Sequence, residues 1–152
     1  MPSTAPIALG IDRGLHTVLV RLLACAAPEE GCALLLGRQL PPAAEDEGPL
    51  WQLERIWPCL NVWPESGARS RRFAIDPREQ LVAQRWCRPR GLAVLGAAHS
   101  HPVGPARPSA TDRSLTLAPA LMVILGADAA PLAWWLPENG AHPRPLPWRM
   151  GD

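Results

Sequence analysis

Residues 99–112 read HSHPVGPARPSATD, and this stretch decides how the chain is interpreted. The apolar run before it predicts that Gly91–Ser100 is a buried strand ending in a polar tip. His99 and His101 stand two residues apart at that tip. Because side chains two apart on a strand point to the same face, the two imidazoles are expected side by side. Imidazole is a good zinc ligand, so this pair forms half of a metal site.

The third predicted ligand is Asp112. Ser109 is expected to cap a short helix, in which Asp112 takes the third position and can turn its carboxylate toward the strand tip. Three protein ligands leave one coordination position for water, which is the arrangement of catalytic zinc sites. Zinc lowers the pKa of such a water to about 7. Other divalent metals also accept two imidazoles and a carboxylate, so ligand type favours zinc without fixing it.

Each part of this pattern has a simpler interpretation when it is taken alone. An isolated H-x-H is usually a pair of solvent-facing or core histidines. The Ser109-x-x-Asp112 pattern alone is usually a helix cap followed by an acid in the first turn. The combination is more specific, because seven residues separate His101 from Ser109 and two separate Ser109 from Asp112.

This spacing resembles the signature of the JAMM, or MPN, zinc metalloprotease family in its stand-alone prokaryotic form. That signature is H-x-H, seven residues, Ser, two residues and Asp, preceded by a distant Glu. Upstream, Pro28–Gly37 (PEEGCALLLG) resembles the family's proline, glutamate, cysteine and short apolar run ending in glycine. Asn61, Arg72–Phe73 and Asp76–Pro77 look like the family's middle section. The resemblance covers Leu15–Leu136, nearly the whole chain.

The resemblance implies that Glu30 is the family's distant glutamate, with Cys32 in register after it. Glu29 is the alternative, since the two acids are adjacent and would face opposite ways on a strand. The implied role of Glu30 is general base toward the water at the metal, and Ser109 would help to stabilise the oxyanion. One departure is visible, because Ala33 stands where glycine is usual. A methyl group there costs little if the backbone φ is negative.

The resemblance also implies the activity. We expect one catalytic zinc ion held by His99, His101 and Asp112, in an enzyme that hydrolyses a peptide or isopeptide bond. The expected substrate is the tail of a ubiquitin-like or sulfur-carrier protein, cut after its C-terminal Gly-Gly. The alternative is a catalytically silent MPN-type scaffold that binds proteins. Such scaffolds usually lack motif residues, whereas Glu30 and Ser109 join the three ligands here to complete the motif.

A third hypothesis is a zinc deaminase, because these enzymes share a related layered fold. Their signature combines H-x-E with P-C-x-x-C, and neither element occurs in this chain. The sequence therefore favours amide hydrolysis over nucleobase deamination.

The order of predicted elements is helix, strands, helix, strand, helix, strands, which predicts a layered α/β domain. With the resemblance, this implies a single-domain MPN (JAMM) fold: a mixed curved β-sheet flanked by helices, with cytidine-deaminase-like layering. The predicted domain spans residues 1–138, and residues 139–152 form a Pro-rich C-terminal tail. Besides a short strand within Met1–Leu9, the predicted strands are Gly31–Gln39, Leu50–Trp57, Arg71–Ile75, Gly91–Ser100, Leu121–Leu125 and Leu132–Leu136.

The first predicted helix is capped by Asp12 and runs to about Ala26. Part of it, Thr17–Ala27, resembles a short signal segment, but Arg21 interrupts the apolar run and an acid lies where a positive leader is needed. No run reaches the ~18 apolar residues that a membrane span needs. The helix is instead predicted to be amphipathic, with an apolar face of Leu15, Val18, Leu19, Leu22, Leu23 and Ala26.

A second predicted helix starts at Asp76–Pro77, where a cap precedes a first-turn proline. It is expected to run to about Arg88 and to bury Leu81, Val82 and Trp86.

Length and charge limit the remaining classes of function. The 152 residues suit one domain, and 47% apolar residues predict a globular fold. A formal net charge of +1 and a pI of about 7.8 give no basic field, so neither nucleic acid nor a membrane is an expected partner. All 15 basic residues are arginine, which excludes mechanisms based on lysine.

The four cysteines form no C-x-x-C pair, and buried thiols in a reducing cytoplasm are expected. Arg69, Arg71 and Arg72 form a short basic cluster, for which a solvated face is favoured over a site for an acidic partner tail. The Trp-rich edges would allow a homodimer.

Overall fold

Eight strands of the described residues form a single mixed sheet, which three helices accompany. The structure is a computed structural model that describes residues 5–45 and 47–152. The strands are β1 (Ala8–Asp12), β2 (Cys32–Leu40), β3 (Leu50–Cys59), β4 (Ala93–Ser100), β5 (Ala120–Leu125), β6 (Pro131–Leu136), β7 (Arg144–Leu146) and β8 (Trp148–Gly151). The helices are α1 (Arg13–Ala24), α2 (Pro77–Cys87) and α3 (Ala110–Leu115). The predicted α/β layering with a mixed sheet is confirmed.

The order of the strands is β7-β6-β5-β4-β2-β3-β1-β8. In the middle, β2 runs antiparallel to both β3 and β4, whereas β4 and β5 are parallel. The register places Cys32 of β2 opposite His99 of β4. The residues just before β2 therefore lie beside the end of β4, where the two predicted histidine ligands stand.

Helix α1 begins where it was predicted, because the backbone N–H of Leu15 donates to the Asp12 carboxylate at 2.7 Å. Leu19 and Leu23 are buried in the main core, and Leu15 packs against it. The expected apolar face is too wide, since Val18 is 52% exposed. Val18 lies about 100° around the helix axis from Leu19, and the buried stripe that faces the sheet does not extend that far.

Helix α2 also begins as predicted, after the Asp76 cap, and Trp86 packs against the core beside it, but the predicted burial of Leu81 and Val82 is wrong. Leu81 and Val82 are 59% and 51% exposed, while Ala83 and Cys87 are buried against the sheet. The two buried residues lie four apart on one helix face. Their small side chains let the helix lie close to β2 and β4, which turns the larger aliphatic residues toward solvent.

The predicted strand at Arg71–Ile75 is wrong. This segment is irregular, and one backbone hydrogen bond, from the N–H of Val62 to the carbonyl of Ala74, ties it to the preceding loop at 2.9 Å. The edges of β2 near this segment already pair with β3 and β4, so no strand edge is free to receive it. The side chain of Asn61 adds hydrogen bonds to the carbonyl of Arg72 and the N–H of Ala74.

The sequence predicts that residues 139–152 form a Pro-rich C-terminal tail. In the structure these residues contribute the strands β7 and β8. β7 pairs with β6 at one end of the strand order, and β8 pairs with β1 at the other. Pro147 alone separates the two strands, and its carbonyl accepts from the N–H of Leu9 at 3.0 Å. The indole N–H of Trp148 donates to the carbonyl of Pro131 at 2.9 Å. This short segment therefore pairs with both β6 and β1, whose edges would otherwise be exposed.

The start of the chain is described only from residue 5. The short strand predicted within Met1–Leu9 begins later, at Ala8, and residues 1–4 of that prediction lie outside the described residues. None of the helices in the described part of the chain has both the length and the apolarity that crossing a membrane requires.

All four cysteines are free. Cys32 and Cys87 are buried and Cys59 is half-buried, but Cys25 is exposed. The expectation of buried thiols is therefore wrong for Cys25, because it follows the last residue of α1, on the solvent side of the helix end.

We expect Trp148→Ala to lower the free energy of unfolding by about 2 kcal/mol, because the half-buried indole packs on the main core and bonds across to β6. Urea denaturation measures the change. The control is Met150→Ala on the same strand, where the side chain is 42% exposed and the expected change is under about 0.5 kcal/mol. Equal effects of the two substitutions would contradict the docking of the tail.

Candidate metal centre

The two histidines converge at the end of β4. The ring of His99 is fully buried, and the side chain of His101 is 11% exposed. Their Nε2 atoms lie 3.1 Å apart. The side chains therefore share one face of the strand end, as their spacing of two residues predicts.

Asp112 reaches the same point from α3. It is the third residue of that helix and forms a capping box with Ser109. The hydroxyl of Ser109 accepts from the N–H of Asp112 at 3.0 Å, and the N–H of Ser109 donates to Asp112 Oδ2 at 2.9 Å. The same Oδ2 lies 3.1 Å from the Nε2 of His99 and 3.1 Å from the Nε2 of His101. Three potential ligand atoms thus form a triangle with sides of 3.1 Å.

While His101 is neutral, hydrogen bonding alone does not satisfy this triangle. The Nδ1 of His101 lies 2.8 Å from the carbonyl of Pro105, which can only accept, so this nitrogen carries the proton. In neutral His101 the Nε2 lone pair then faces the Asp112 carboxylate, and two acceptors meet at 3.1 Å. Either a proton on the Nε2 of His101 or a metal cation among the three atoms removes this repulsion. Tetrahedral zinc, with bonds of ~2.0–2.2 Å, places its ligand atoms roughly 3.3 Å apart, so the donor set fits a zinc ion.

Glu30 stands just before β2 and is only 4% exposed. One of its carboxylate oxygens lies within 4.8 Å of a ring nitrogen of each histidine, yet it makes no hydrogen bond to either ring. Its Oε1 is buried and has no hydrogen-bond partner among residues 5–45 and 47–152. Glu29, the alternative from the sequence, is half-buried and is not part of this cluster.

Two donor sets are therefore available for a metal. Glu30 or Asp112 can complete the pair formed by His99 and His101. Asp112 contacts both ring nitrogens directly, whereas Glu30 stands farther off with an unsatisfied oxygen. Asp112 therefore lies nearer to both rings than Glu30 does, and the buried oxygen of Glu30 remains free to accept a hydrogen bond.

The backbone beside Glu30 is held tightly against β4. The N–H of Gly31 donates to the hydroxyl of Ser100 at 2.8 Å, and the N–H of Ser100 donates to the carbonyl of Gly31 at 3.0 Å. A Cβ on Gly31 would lie 2.6 Å from the carbonyl oxygen of Leu23, so glycine is needed where the chain passes α1. Ala33, which stands where the family usually has glycine, fits here because this buried residue has no positive φ.

Asn61 is a structural residue of the site, and its role was not predicted from the sequence. Its amide nitrogen donates to the carbonyls of Glu30 at 3.1 Å and Arg72 at 2.9 Å. Its side-chain oxygen accepts from the N–H groups of Trp63 and Ala74 at 3.1 and 3.2 Å. One side chain thus holds the loop 61–74 to the backbone of Glu30. The sequence resemblance included Asn61, but nothing in its local sequence indicates these distant partners.

Phe73, at the end of that loop, forms a wall of the site. Its ring stacks on His99 with a centroid distance of 4.3 Å and an interplanar angle of 20°. Next to it, Arg72 donates to the hydroxyl of Thr111 at 3.0 Å, which links the loop to α3. The stacking fixes the plane of the imidazole, whose buried Nδ1 has no hydrogen-bond partner in the described part of the chain.

Burial and charge shift the titration of all four groups. Burial raises the pKa of Glu30 to about 7; His101 opposes the rise and the negative charge of Asp112 adds to it. Burial lowers the pKa of His99, which favours the neutral, metal-binding ring. For His101 and Asp112, burial opposes the direction in which the pKa is shifted. Hydrogen bonding to Asp112 raises the pKa of His101, and the bonds from the two imidazoles hold the pKa of Asp112 well below its usual range.

A cavity of about 280 Å³ opens onto the site and is lined in part by Glu30, His101 and Ser109. Because the hydroxyl oxygen of Ser109 accepts from the helix, its proton is free to be donated toward the cavity. The cavity therefore combines a carboxylate, one of the two imidazoles and a hydroxyl donor at one opening.

Known proteins resemble this chain in both sequence and structure. A model of prokaryotic homologues of the JAB domain matches residues 12–137. The chain is 33% identical over 133 residues to a probable TtuB-protein conjugate cleaving protease of Thermus thermophilus, which covers 88% of this chain and 79% of that protein.

Solved structures show the same architecture. A protein of Desulfitobacterium hafniense superposes with a TM-score of 0.76 at 28% identity, over 95% of this chain and 93% of that one. A protein of Salinibacter ruber superposes with a TM-score of 0.65 at 28% identity, over 94% of this chain and 92% of that one. A JAB1/MPN domain protein of Archaeoglobus fulgidus shares the fold, with a TM-score of 0.55 at 18% identity over 93% and 98%.

The family match spans most of the chain, and the Thermus relative exceeds 30% identity over most of both proteins. The resemblance indicated by the motif is thereby confirmed, and the chain belongs to the family of prokaryotic homologues of the JAB domain.

Proposed function

We propose that this protein is a zinc-dependent metallopeptidase that hydrolyses a peptide or isopeptide bond after the C-terminal Gly-Gly of a ubiquitin-like or sulfur-carrier protein. The observation that carries the proposal is the triangle of His99 Nε2, His101 Nε2 and Asp112 Oδ2, beside the buried and unsatisfied Oε1 of Glu30. The Thermus relative, named for cleaving TtuB-protein conjugates, supports a substrate of this class.

In this proposal His99, His101 and Asp112 hold the metal and Glu30 does not. A bound zinc ion would acidify a water molecule and polarise the substrate carbonyl. Glu30 accepts a proton from the attacking water and returns it to the leaving amine. Burial raises the pKa of Glu30 in the metal-free protein, and the charge of a bound zinc ion would lower it again. Ser109 donates its free hydroxyl proton to the developing oxyanion.

Metal binding distinguishes the two donor sets. We expect the wild-type protein to bind about one zinc ion per chain, since three ligands and one water complete a tetrahedral site. Asp112→Asn should weaken zinc binding at least about 100-fold, because a charged ligand in direct contact with both imidazoles is lost. Glu30→Gln should change it less than about tenfold. Competition with a chromogenic chelator measures both affinities.

The opposite ranking, with tight binding by Asp112→Asn and weak binding by Glu30→Gln, would make Glu30 the third ligand. Wild-type protein that takes up no zinc at neutral pH would instead support the silent scaffold. Glu29→Gln is the matched control and should bind zinc like wild type, because Glu29 is not part of the cluster.

Catalysis tests the role of Glu30 separately. The substrate is a sulfur-carrier protein with a short extension after Gly-Gly, and mass spectrometry identifies the products. We expect cleavage after Gly-Gly that a chelator abolishes. Glu30→Gln, loaded with zinc, should lower kcat about 10³-fold, because the proton acceptor is lost while the metal stays bound.

Glu29→Gln should retain cleavage to within about threefold of wild type. Undiminished cleavage by the zinc-loaded Glu30→Gln variant would show that the proposed proton transfer is wrong.

A further inference from the structure

We infer that Cys32 and Cys59 form a reversible disulfide in the presence of a peroxide, and that this bond slows hydrolysis by displacing Glu30. The two thiols belong to the neighbouring strands β2 and β3, and Glu30 stands two residues before the first of them. The effect on hydrolysis rests on the proposed function, whereas formation of the bond does not.

The register of the sheet places the two cysteines directly opposite each other. Cys32 opens β2 and Cys59 ends β3, so they form the last pair of this antiparallel ladder. Residues paired in this way have Cα atoms about 4.5–5.5 Å apart and side chains on the same face. A disulfide needs a Cα separation of about 4.4–6.8 Å, which the paired backbones already provide.

Both sulfur atoms lie close to the backbone of the paired strands. The Sγ of Cys32 lies 3.7 Å from the carbonyl oxygen of Cys59, and the Sγ of Cys59 lies 3.5 Å from the carbonyl oxygen of Trp57. A thiol is a weak donor, so these contacts hold the side chains only loosely. Little is therefore lost when rotation about the two Cα–Cβ bonds turns the sulfur atoms toward each other.

An oxidant has access to the pair at Cys59. This residue is half-buried and lines an open cavity of about 180 Å³ together with Leu60 and Glu79. Cys32 is only 3% exposed, so a small oxidant reaches Cys59 first. Burial raises the pKa of the Cys59 thiol to about 11, which keeps the reactive thiolate scarce and the oxidation slow at neutral pH. The pair therefore suits a response to sustained oxidant.

The chemistry consumes one hydrogen peroxide molecule for each disulfide. The sulfur of Cys59 attacks a peroxide oxygen, the O–O bond breaks, water leaves and a sulfenic acid forms. The sulfur of Cys32 then attacks the sulfur of Cys59, the S–O bond breaks and a second water leaves. Two thiols are thus oxidised to one disulfide while hydrogen peroxide is reduced to two water molecules. A dithiol reductant restores both thiols by exchange.

Closure of the bond moves the strand that follows Glu30. The Cβ atoms of facing residues lie about 4.5–5.5 Å apart, whereas those of a disulfide lie about 3.8 Å apart, so β2 must approach β3 by about 1 Å. The resulting strain makes the bond easier to reduce. Cys32 lies opposite His99 across the other edge of β2, so the same movement separates Glu30 from the histidines. A misplacement of about 1 Å can lower a reaction rate about 10²-fold.

The test treats zinc-loaded protein with hydrogen peroxide and identifies the linked cysteines by peptide mass spectrometry. The Cys25→Ser variant serves as the background, because this exposed thiol would otherwise join two chains. We expect an intramolecular disulfide between Cys32 and Cys59, with the loss of two hydrogen atoms, that dithiothreitol reverses. On oxidation, kcat/KM for cleavage after Gly-Gly should fall at least about tenfold, and it should recover on reduction.

Cys59→Ser in the same background is the matched control, because it cannot form the bond and should keep its activity in peroxide. Cys59→Ala has the same expected result and removes any effect of the new hydroxyl. The amide resonances of Glu30 and Gly31 in heteronuclear NMR spectra provide a measurement that needs no turnover. They should shift when the Cys25→Ser protein is oxidised and stay in place in both controls, which also reveal any effect of peroxide on other residues.

Thiols that do not link, or a link from Cys59 to Cys87 instead, would overturn the inference and leave the proposed function standing. In active protein, a link to Cys32 that leaves cleavage unchanged would overturn it as well. Absence of cleavage by the reduced, zinc-loaded protein would count against the proposed function. The resonances of Glu30 would then decide the inference, because a reversible shift on closure supports it and no shift overturns it.

Discussion

The antiparallel pairing of β2 with β4 is the constraint on which the site depends. It places Cys32 opposite His99, so the residue two before Cys32 arrives beside the histidines. Reciprocal hydrogen bonds between Gly31 and Ser100 continue this pairing past the end of the ladder. A slip of one residue would turn every side chain of β2 to the opposite face and would carry Glu30 away from the histidines.

The capping box of α3 links helix formation to the proposed metal site. Asp112 Oδ2 accepts from the backbone of Ser109 and also lies against both imidazoles. The carboxylate is therefore oriented by the helix start before any metal binds, which lowers the entropy lost when the site forms. The same cap occupies the hydroxyl oxygen of Ser109 and leaves its proton free. One local motif thus orients both a proposed ligand and a proposed oxyanion donor.

The sequence predicted that these side chains converge because the signals are local. The two histidines share a strand end and Asp112 follows a helix cap, so spacing alone brings their faces together. The role of Asn61 had no such signal, because its partner Glu30 lies 31 residues away. Arg71 was predicted to lie on a solvated face, and only the fold shows that it lines the same cavity as Glu30 and Ser109.

The wrong predictions about the fold also concern features that depend on contacts with distant parts of the chain. Hydrophobicity predicted that Leu81 and Val82 would be buried, but close packing of α2 on the sheet selected its small residues instead. The irregular Arg71–Ile75 segment has the composition of a strand and lacks a free edge to pair with. The strands β7 and β8 are short and Pro-rich, and they form because β6 and β1 supply partners from distant parts of the chain.

The most direct test of the central claim is a crystal structure of the zinc-loaded protein with anomalous scattering recorded at the zinc edge. The account predicts one zinc ion bonded to His99 Nε2, His101 Nε2 and Asp112 Oδ2, with Glu30 outside bonding distance and hydrogen-bonded to the metal's water. A zinc ion bonded to Glu30 in place of Asp112, or no zinc at these histidines, would contradict it.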